Sequence, residues 1–295
     1  MKQPNLFIAL AYGNQCRVVI VNSLDTVKEA TTRHQTRPTA SAALGRTLTA
    51  GLLLASSLKG HDKYTIRLSG TGPIKEIVVD AHASGIVRGY VSDPYVELMP
   101  KGNGKLDVSG AIGTTGLLTV VKHIEDGLDF TGQTPFVSGE IAEDFTHYLL
   151  TSEQIPSAMA LGVLVNTDET IRQAGGYLIQ ALPGVREETL IDLETHLKTL
   201  PNLTYLLEET HDLETLAKRI TGDEHLQPLE TRHTKFQCTC SRQRTEETLR
   251  LLGVDELQSM INDQQGADVH CNFCNAHYHF TDQELHDIIV RLQPN

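Results

Sequence analysis

The chain has 295 residues, 40% of them hydrophobic, and a formal net charge of −12. That length is a prior for two domains of ordinary size, and that apolar content can bury a core, which excludes a globally disordered chain. The charge is uneven: −2 over residues 1–185, −6 over 186–229 and −4 over 230–295. It opposes nucleic-acid binding, where affinity comes from clustered Lys and Arg.

In chain order, residues 5–22 read as two strands around a turn at Gly13-Asn14. The short apolar start lacks the small-x-small cleavage site of a signal peptide. The run from Leu48 to Leu58 is about half of what a bilayer needs, so the expectation is a cytosolic protein without a membrane partner. Ser23 is placed to cap a helix to about His34, and after Pro38 the small and apolar residues of ASAALGRTLTAGLLLASSL suit a helix packed closely on a sheet. YTIRLSG, IKEIVVDA and GIVRGYV read as strands between Gly, Pro and Asp punctuation. Gly102, Gly104, Gly113 and Gly116 mark turns. The segment from Ile141 to Leu150 has a helical pattern, and SAMALGVLV and YLIQAL look like further strands. The fold class is α+β: an N-terminal, largely antiparallel sheet domain with packed helices over 1–183.

Near Pro183-Gly184 the pattern changes. Leu190, Leu193, Leu197 and Leu200 recur at helical spacing before Pro201, and Leu203, Leu206, Leu207, Leu213, Leu216 and Ile220 follow among acidic residues. Two or three short amphipathic helices fit 184–230, marginal alone and dependent on docking an apolar face. This stretch is either a helical linker resting on the sheet domain or a functional surface.

Residues 231–295 carry Cys238-Thr239-Cys240, thirty intervening residues, and Cys271-Asn272-Phe273-Cys274. Cys238, Cys240, Cys271 and Cys274 satisfy zinc in tetrahedral coordination. Such clustering reads as metal binding or redox chemistry rather than a secreted disulfide scaffold. LRLLGVDELQSMIND reads as helical, and YHFTDQELHDIIVRL as a strand followed by a C-terminal helix. Zinc would clamp a domain too small to hold itself together, a closed shell of four thiolates leaving no position for hydrolysis. His270, His277 and His279 flank the second pair as surface or supporting groups. The site is either purely structural or a redox sensor, since oxidation of thiolates to disulfides would eject the metal. A Cys271–Cys274 bridge has familiar spacing, whereas Cys238–Cys240 spans one residue and would form second. Cys16 reads as a small buried residue. Gly70-Thr71-Gly72 and Gly102-Asn103-Gly104-Lys105 lack the full phosphate-loop pattern and read as turns, and no catalytic set declares itself.

Cys-x-Cys-Ser at 238–241, Leu-Gly-x-x-Glu-Leu at 252–257 and Cys-x-Phe-Cys-x-x-x-Tyr-x-Phe at 271–280 resemble the heat shock protein 33 family of redox-regulated chaperones. So do Leu44-Gly45-Arg46, Gly70-x-Gly72-Pro73-Ile74, Gly85-x-Val87-Arg88-Gly89-Tyr90 and SGEIAEDFTHYLLTSEQIPSA at 138–158. The resemblance implies an ATP-independent holdase of the bacterial cytosol and no enzyme: a reduced form that holds one Zn2+ and is largely inactive, activated by oxidation. It implies disulfides Cys271–Cys274 first and Cys238–Cys240 second, zinc release, and unfolding of the zinc domain and the linker. Unfolding clients would then bind, with the linker leucines at 190, 193, 197, 203, 206, 207, 213 and 216 as candidate contacts. Active molecules would be homodimers handing clients to ATP-dependent foldases. Competing readings are a zinc-dependent nucleic-acid module, supported by Lys235, Arg242 and Arg244, and an enzyme using the first domain.

Overall fold

The computed structural model describes residues 3–102, 104–264 and 266–292, so Asn103 of the second glycine motif lies outside the described residues. Two compact units result, parting between Gln237 and Cys238.

In the first unit, β1 (Leu6–Ala11) and β2 (Cys16–Asn22) form the hairpin expected from the alternating residues, followed by α1 (Leu24–His34) and α2 (Pro38–Ala55). Strands β3 (Lys63–Gly70), β4 (Glu76–His82) and β5 (Ile86–Val91) follow, then α3 (Val108–Ile112), β6 (Gly116–His123), β7 (Phe130–Pro135), α4 (Ile141–Thr151), β8 (Ser157–Val165) and β9 (Ile171–Ala181). Helices α5 (Glu187–Thr199), α6 (Leu203–Glu209) and α7 (Leu213–Thr221) come next, and β10 (Gln227–Arg232) and β11 (Lys235–Phe236) end the unit. The strands form a five-stranded sheet ordered β10-β1-β2-β9-β8 and a six-stranded sheet ordered β11-β5-β4-β3-β6-β7. All neighbours are antiparallel except β11 on β5.

Helix α2 packs against strands of both sheets, which is why nearly every residue along it is buried. Close approach depends on Gly45: a Cβ there would lie 2.7 Å from Val27 Cγ1 and 2.9 Å from Val163 Cγ2. Side chains alternate across a strand, so the five-stranded sheet has two apolar faces. Leu6, Ile8, Val19 and Val21 enter the core shared with α2, whereas Phe7, Ala9, Val18 and Ile20 face the other way. The second face is covered by α5, α6 and α7, through Leu193, Leu203, Leu206, Leu207, Leu213 and Leu216. The helices expected over 184–230 thus form, but the segment ends differently: 227–232 is a strand, β10, paired with β1. Pairing wins there over a weak local pattern, because Pro228, Leu229 and Glu230 are all exposed.

The second unit holds α8 (Arg242–Arg250), α9 (Val254–Gln264), the hairpin β12 (Ala267–His270) and β13 (His277–Phe280), and α10 (Asp282–Leu292). The single helix expected across 249–263 is broken at Gly253, whose φ of +85° only glycine adopts readily. Its fully buried core is small: Leu249, Leu257, Ala267, Phe280, Leu285, Ile288 and Ile289. Arg242 lies over the Phe280 ring, 4.3 Å from its centroid. The start of α10 is closed by Glu284, which accepts from the Thr281 N–H at 2.9 Å. Among the described residues no helix is long and apolar enough to cross a membrane.

Candidate metal centre

Cys238 and Cys240 lie in the non-helical segment ahead of α8, which Ser241 caps by accepting from the Arg244 N–H at 3.2 Å. Cys271 and Cys274 occupy the turn between β12 and β13. The Cys271 N–H donates to the Ala276 carbonyl (2.9 Å), and the Cys274 and Asn275 N–H groups both donate to the Cys271 carbonyl (3.2 and 2.8 Å). Asn275 takes the left-handed conformation, φ 57°, that lets so short a turn close. The result brings all four predicted ligands together, with their sulfurs within 4.8 Å of one another. Cys238 Sγ is 3.7 Å from Cys271 Sγ, and Cys240 Sγ is 3.3 Å from Cys274 Sγ.

Burial pushes the Cys271 thiol up, outweighing the Phe273 N–H that pulls it down, and the nearby Cys238 adds to the rise. Burial likewise pushes Cys274 far above the ordinary thiol range, against the Ala276 N–H. Four thiolates this close repel one another, and a cation is needed to offset their charge. A divalent metal supplies that charge, and thiolates are the donors that soft or borderline metals select. The donor set therefore fits a metal ion held by four sulfurs.

Sequence reasoning assigned no role to Tyr278, although it stands in the motif after Cys274. Its hydroxyl donates to Cys240 Sγ at 3.2 Å, and chiefly that bond pushes the phenol up to about 12. Only the β12–β13 register brings it there. His270, His277 and His279 stand outside the sulfur cluster. Arg242 and Arg244 are engaged within the unit, Arg242 with Glu284 (2.6 Å) and Arg244 with the Thr239 carbonyl (2.8 Å).

The family model described as Hsp33 protein matches residues 5–281. The chain belongs to the Hsp33 family. It is 47% identical over 280 residues to the 33 kDa chaperonin of Geobacillus kaustophilus (strain HTA426), covering 95% of each chain. With the 33 kDa chaperonin of Bacillus cereus (strain AH187) it shares 45% identity over 284 residues, 96% of this chain and 98% of that one. The crystal structure of the 33 kDa chaperonin (heat shock protein 33 homolog) from Thermotoga maritima aligns with a TM-score of 0.91 at 34% identity, covering 98% of this chain and 99% of that one. Membership in the Hsp33 family makes the chain a chaperone and agrees with the α+β architecture described above.

The linker leucines are placed as follows. Leu193, Leu203, Leu206, Leu207, Leu213 and Leu216 are buried on the second face of the five-stranded sheet, and Leu190 and Leu197 are partly buried. Leu190, Leu193 and Leu197 of α5 roof a cavity of about 250 Å³ whose floor includes Cys16 and Ile179. Seven of the eight thus share one concealed apolar interface, and Leu190 stands partly buried at the cavity beside it.

Proposed function

We propose that this chain is a redox-switched, ATP-independent holdase of the bacterial cytoplasm, resting in a reduced form with one Zn2+ on Cys238, Cys240, Cys271 and Cys274. Two apolar surfaces kept face to face, the helices α5–α7 and the sheet face under them, carry this reading. A chaperone needs apolar surface to bind unfolding clients, and here a large one is present but covered. Bound metal supplies the charge that keeps four thiolates together and, at about 10–16 kcal/mol for structural zinc, most of the stability of a unit with a small core.

Oxidation converts Cys271 and Cys274 to one disulfide and then Cys238 and Cys240 to a second. Each bridge takes two electrons from a pair of thiolates, and a peroxide accepts them with two protons to give two waters. Disulfide sulfurs no longer hold the metal, and the unit of 238–292 loses its stabiliser. Helices of 7 to 13 residues are marginal without a docked face. Once they lift, their leucines and the sheet face become available to clients, while the acidic residues of 186–229 keep the opened segment soluble. Exposed apolar surface also favours pairing of active molecules into homodimers, and clients leave to ATP-dependent foldases.

The deciding experiment follows aggregation of a heat-unfolding test protein without ATP, comparing zinc-loaded reduced chain with chain treated with peroxide at raised temperature. Zinc is measured in the same samples. Activity rising together with zinc release is the expected result. Zinc release without any gain in activity would reduce the centre to a structural site.

A further inference from the structure

Strand β1 has very different neighbours on its two edges. On one side β2 supplies main-chain pairing and a row of buried apolar side chains, Val18, Val19, Ile20 and Val21. On the other side β10 supplies main-chain pairing and little else: residues 227–231 are exposed and Arg232 is partly buried.

The pairing of β10 is also interrupted. Arg232, Thr231 and Glu230 lie opposite Leu6, Phe7 and Ile8, and then the register slips. Leu229 is left without an opposite residue, and Pro228 and Gln227 meet Ala9 and Leu10. Pro228 has no N–H to give to a ladder, and Pro and Glu are both depleted in strands. Beside this weak strand runs Leu-Phe-Ile-Ala-Leu-Ala, uncharged and apolar over its whole length. A bare edge of that composition is a template for pairing with another chain. Both ends of β10 join parts that the redox switch lets go. Thr221 ends α7 six positions before Gln227, and Cys238 stands six positions after Arg232.

We propose that β10 is a displaceable cover, and that an extended segment or bared strand edge of an unfolding protein replaces it on β1 in the oxidised chain. Main-chain pairing is indifferent to sequence, which suits a surface that takes many clients. Residues directly opposite share a sheet face, so beside Phe7 the client sets a side chain where β10 has Thr231. With α5–α7 lifted, that face also bares Val18 and Ile20. An apolar client side chain gains burial there that β10 forgoes. The Thr234 N–H, bonded to Asn5 Oδ1 at 2.6 Å, tethers the far end of β10. The strand therefore peels from Gln227 and stays near the edge it covers. This inference rests on the redox-switch reading and adds to it the mode of client binding.

Hydrogen exchange read by mass spectrometry on the full chain tests it, reduced and oxidised, each with and without a heat-unfolding client. Zinc content and aggregation suppression are measured in the same samples. Expected is loss of protection on oxidation at 227–232 and at the amides of 6–11 that face β10, with only 6–11 regaining it when client is present. Protection of 227–232 that survives zinc release and client capture overturns the proposal. So does recovery of 6–11 without client, because a second copy or the chain itself has then taken the edge. Pro228→Val restores an N–H and strand propensity; it should slow exchange of β10 in the oxidised chain by up to roughly fivefold and lower client capacity at equal zinc release. Slower exchange with full capacity also overturns the proposal. Failure of the redox-switch reading looks different and takes the proposal with it: oxidation releases no zinc, or no sample suppresses aggregation.

Discussion

Asn5 and Thr234 hold each other from both sides: the Thr234 N–H donates to Asn5 Oδ1 at 2.6 Å, and Asn5 Nδ2 donates back to Thr234 Oγ1 at 2.9 Å. Thr234 lies between β10, which extends one sheet, and β11, which extends the other. The clasp therefore pins the chain where it passes between sheets, four residues before Cys238. Asn5→Ala leaves the part-buried Thr234 N–H without its acceptor and should cost about 1–3 kcal/mol, whereas Thr234→Ala removes only a hydroxyl and should cost about 0.5–1.5 kcal/mol. Urea unfolding of the reduced chain measures both, and equal costs would contradict the clasp.

Leu207 and Leu216 are almost fully buried under the covering helices. Truncating either to Ala costs about 2–5 kcal/mol at a well-packed site, and here the loss falls on the docked state of the helices. Each variant should show holdase activity while still reduced and metal-bound, together with faster proteolysis within 184–226. Faster proteolysis without activity would detach the chaperone surface from this interface.

Cys16 is fully buried on the sheet face beneath α5, and burial raises its thiol pKa. Because the thiolate is the reactive form, Cys16 should resist iodoacetamide in the zinc-loaded reduced chain and react readily after oxidation has released the metal. Mass spectrometry of the peptide containing residue 16 reads this directly. Unchanged labelling would mean that the helices stay down.

Asp80 is buried in the six-stranded sheet; burial alone would raise its pKa, but hydrogen bonds from Thr65 and Arg88, and the charges of Lys63 and Arg88, hold it below the usual carboxylate range. A depressed folded pKa means that its contribution is present above the unfolded value, about 3.9, and is lost as the pH falls through the folded value. Asp80→Asn should therefore destabilise the chain at neutral pH and flatten the acid limb of its stability. Urea midpoints taken from neutral pH down into the acid limb test it; an unaltered acid limb would show that the charge is not what matters.

Much of this architecture was legible because it is local. Alternation gives the β1–β2 hairpin, small residues give the packed α2, and paired cysteine spacing gives the four-sulfur cluster. What escaped depends on distant partners. Strand β10 exists through β1, and β6 and β7 carry few marks beyond Gly116 and Gly132. The leucine stripe of 190–216 foretold buried faces but not which surface they cover. Tyr278 on Cys240 follows from hairpin register, which no single segment encodes.

Thirty residues separate Cys240 from Cys271, so the metal proposed on the four sulfurs would close a long loop between the start of its unit and a hairpin turn. The freedom denied by such a closure is entropic, and its weight grows with temperature. Warming leans on the closure without cutting it; oxidant cuts it in a chain that, when cool, has less to gain from opening. On the switch proposed above, heat and oxidant add in one free energy, and the centre would work as a coincidence detector whose sensitivity is set by the length of chain it encloses.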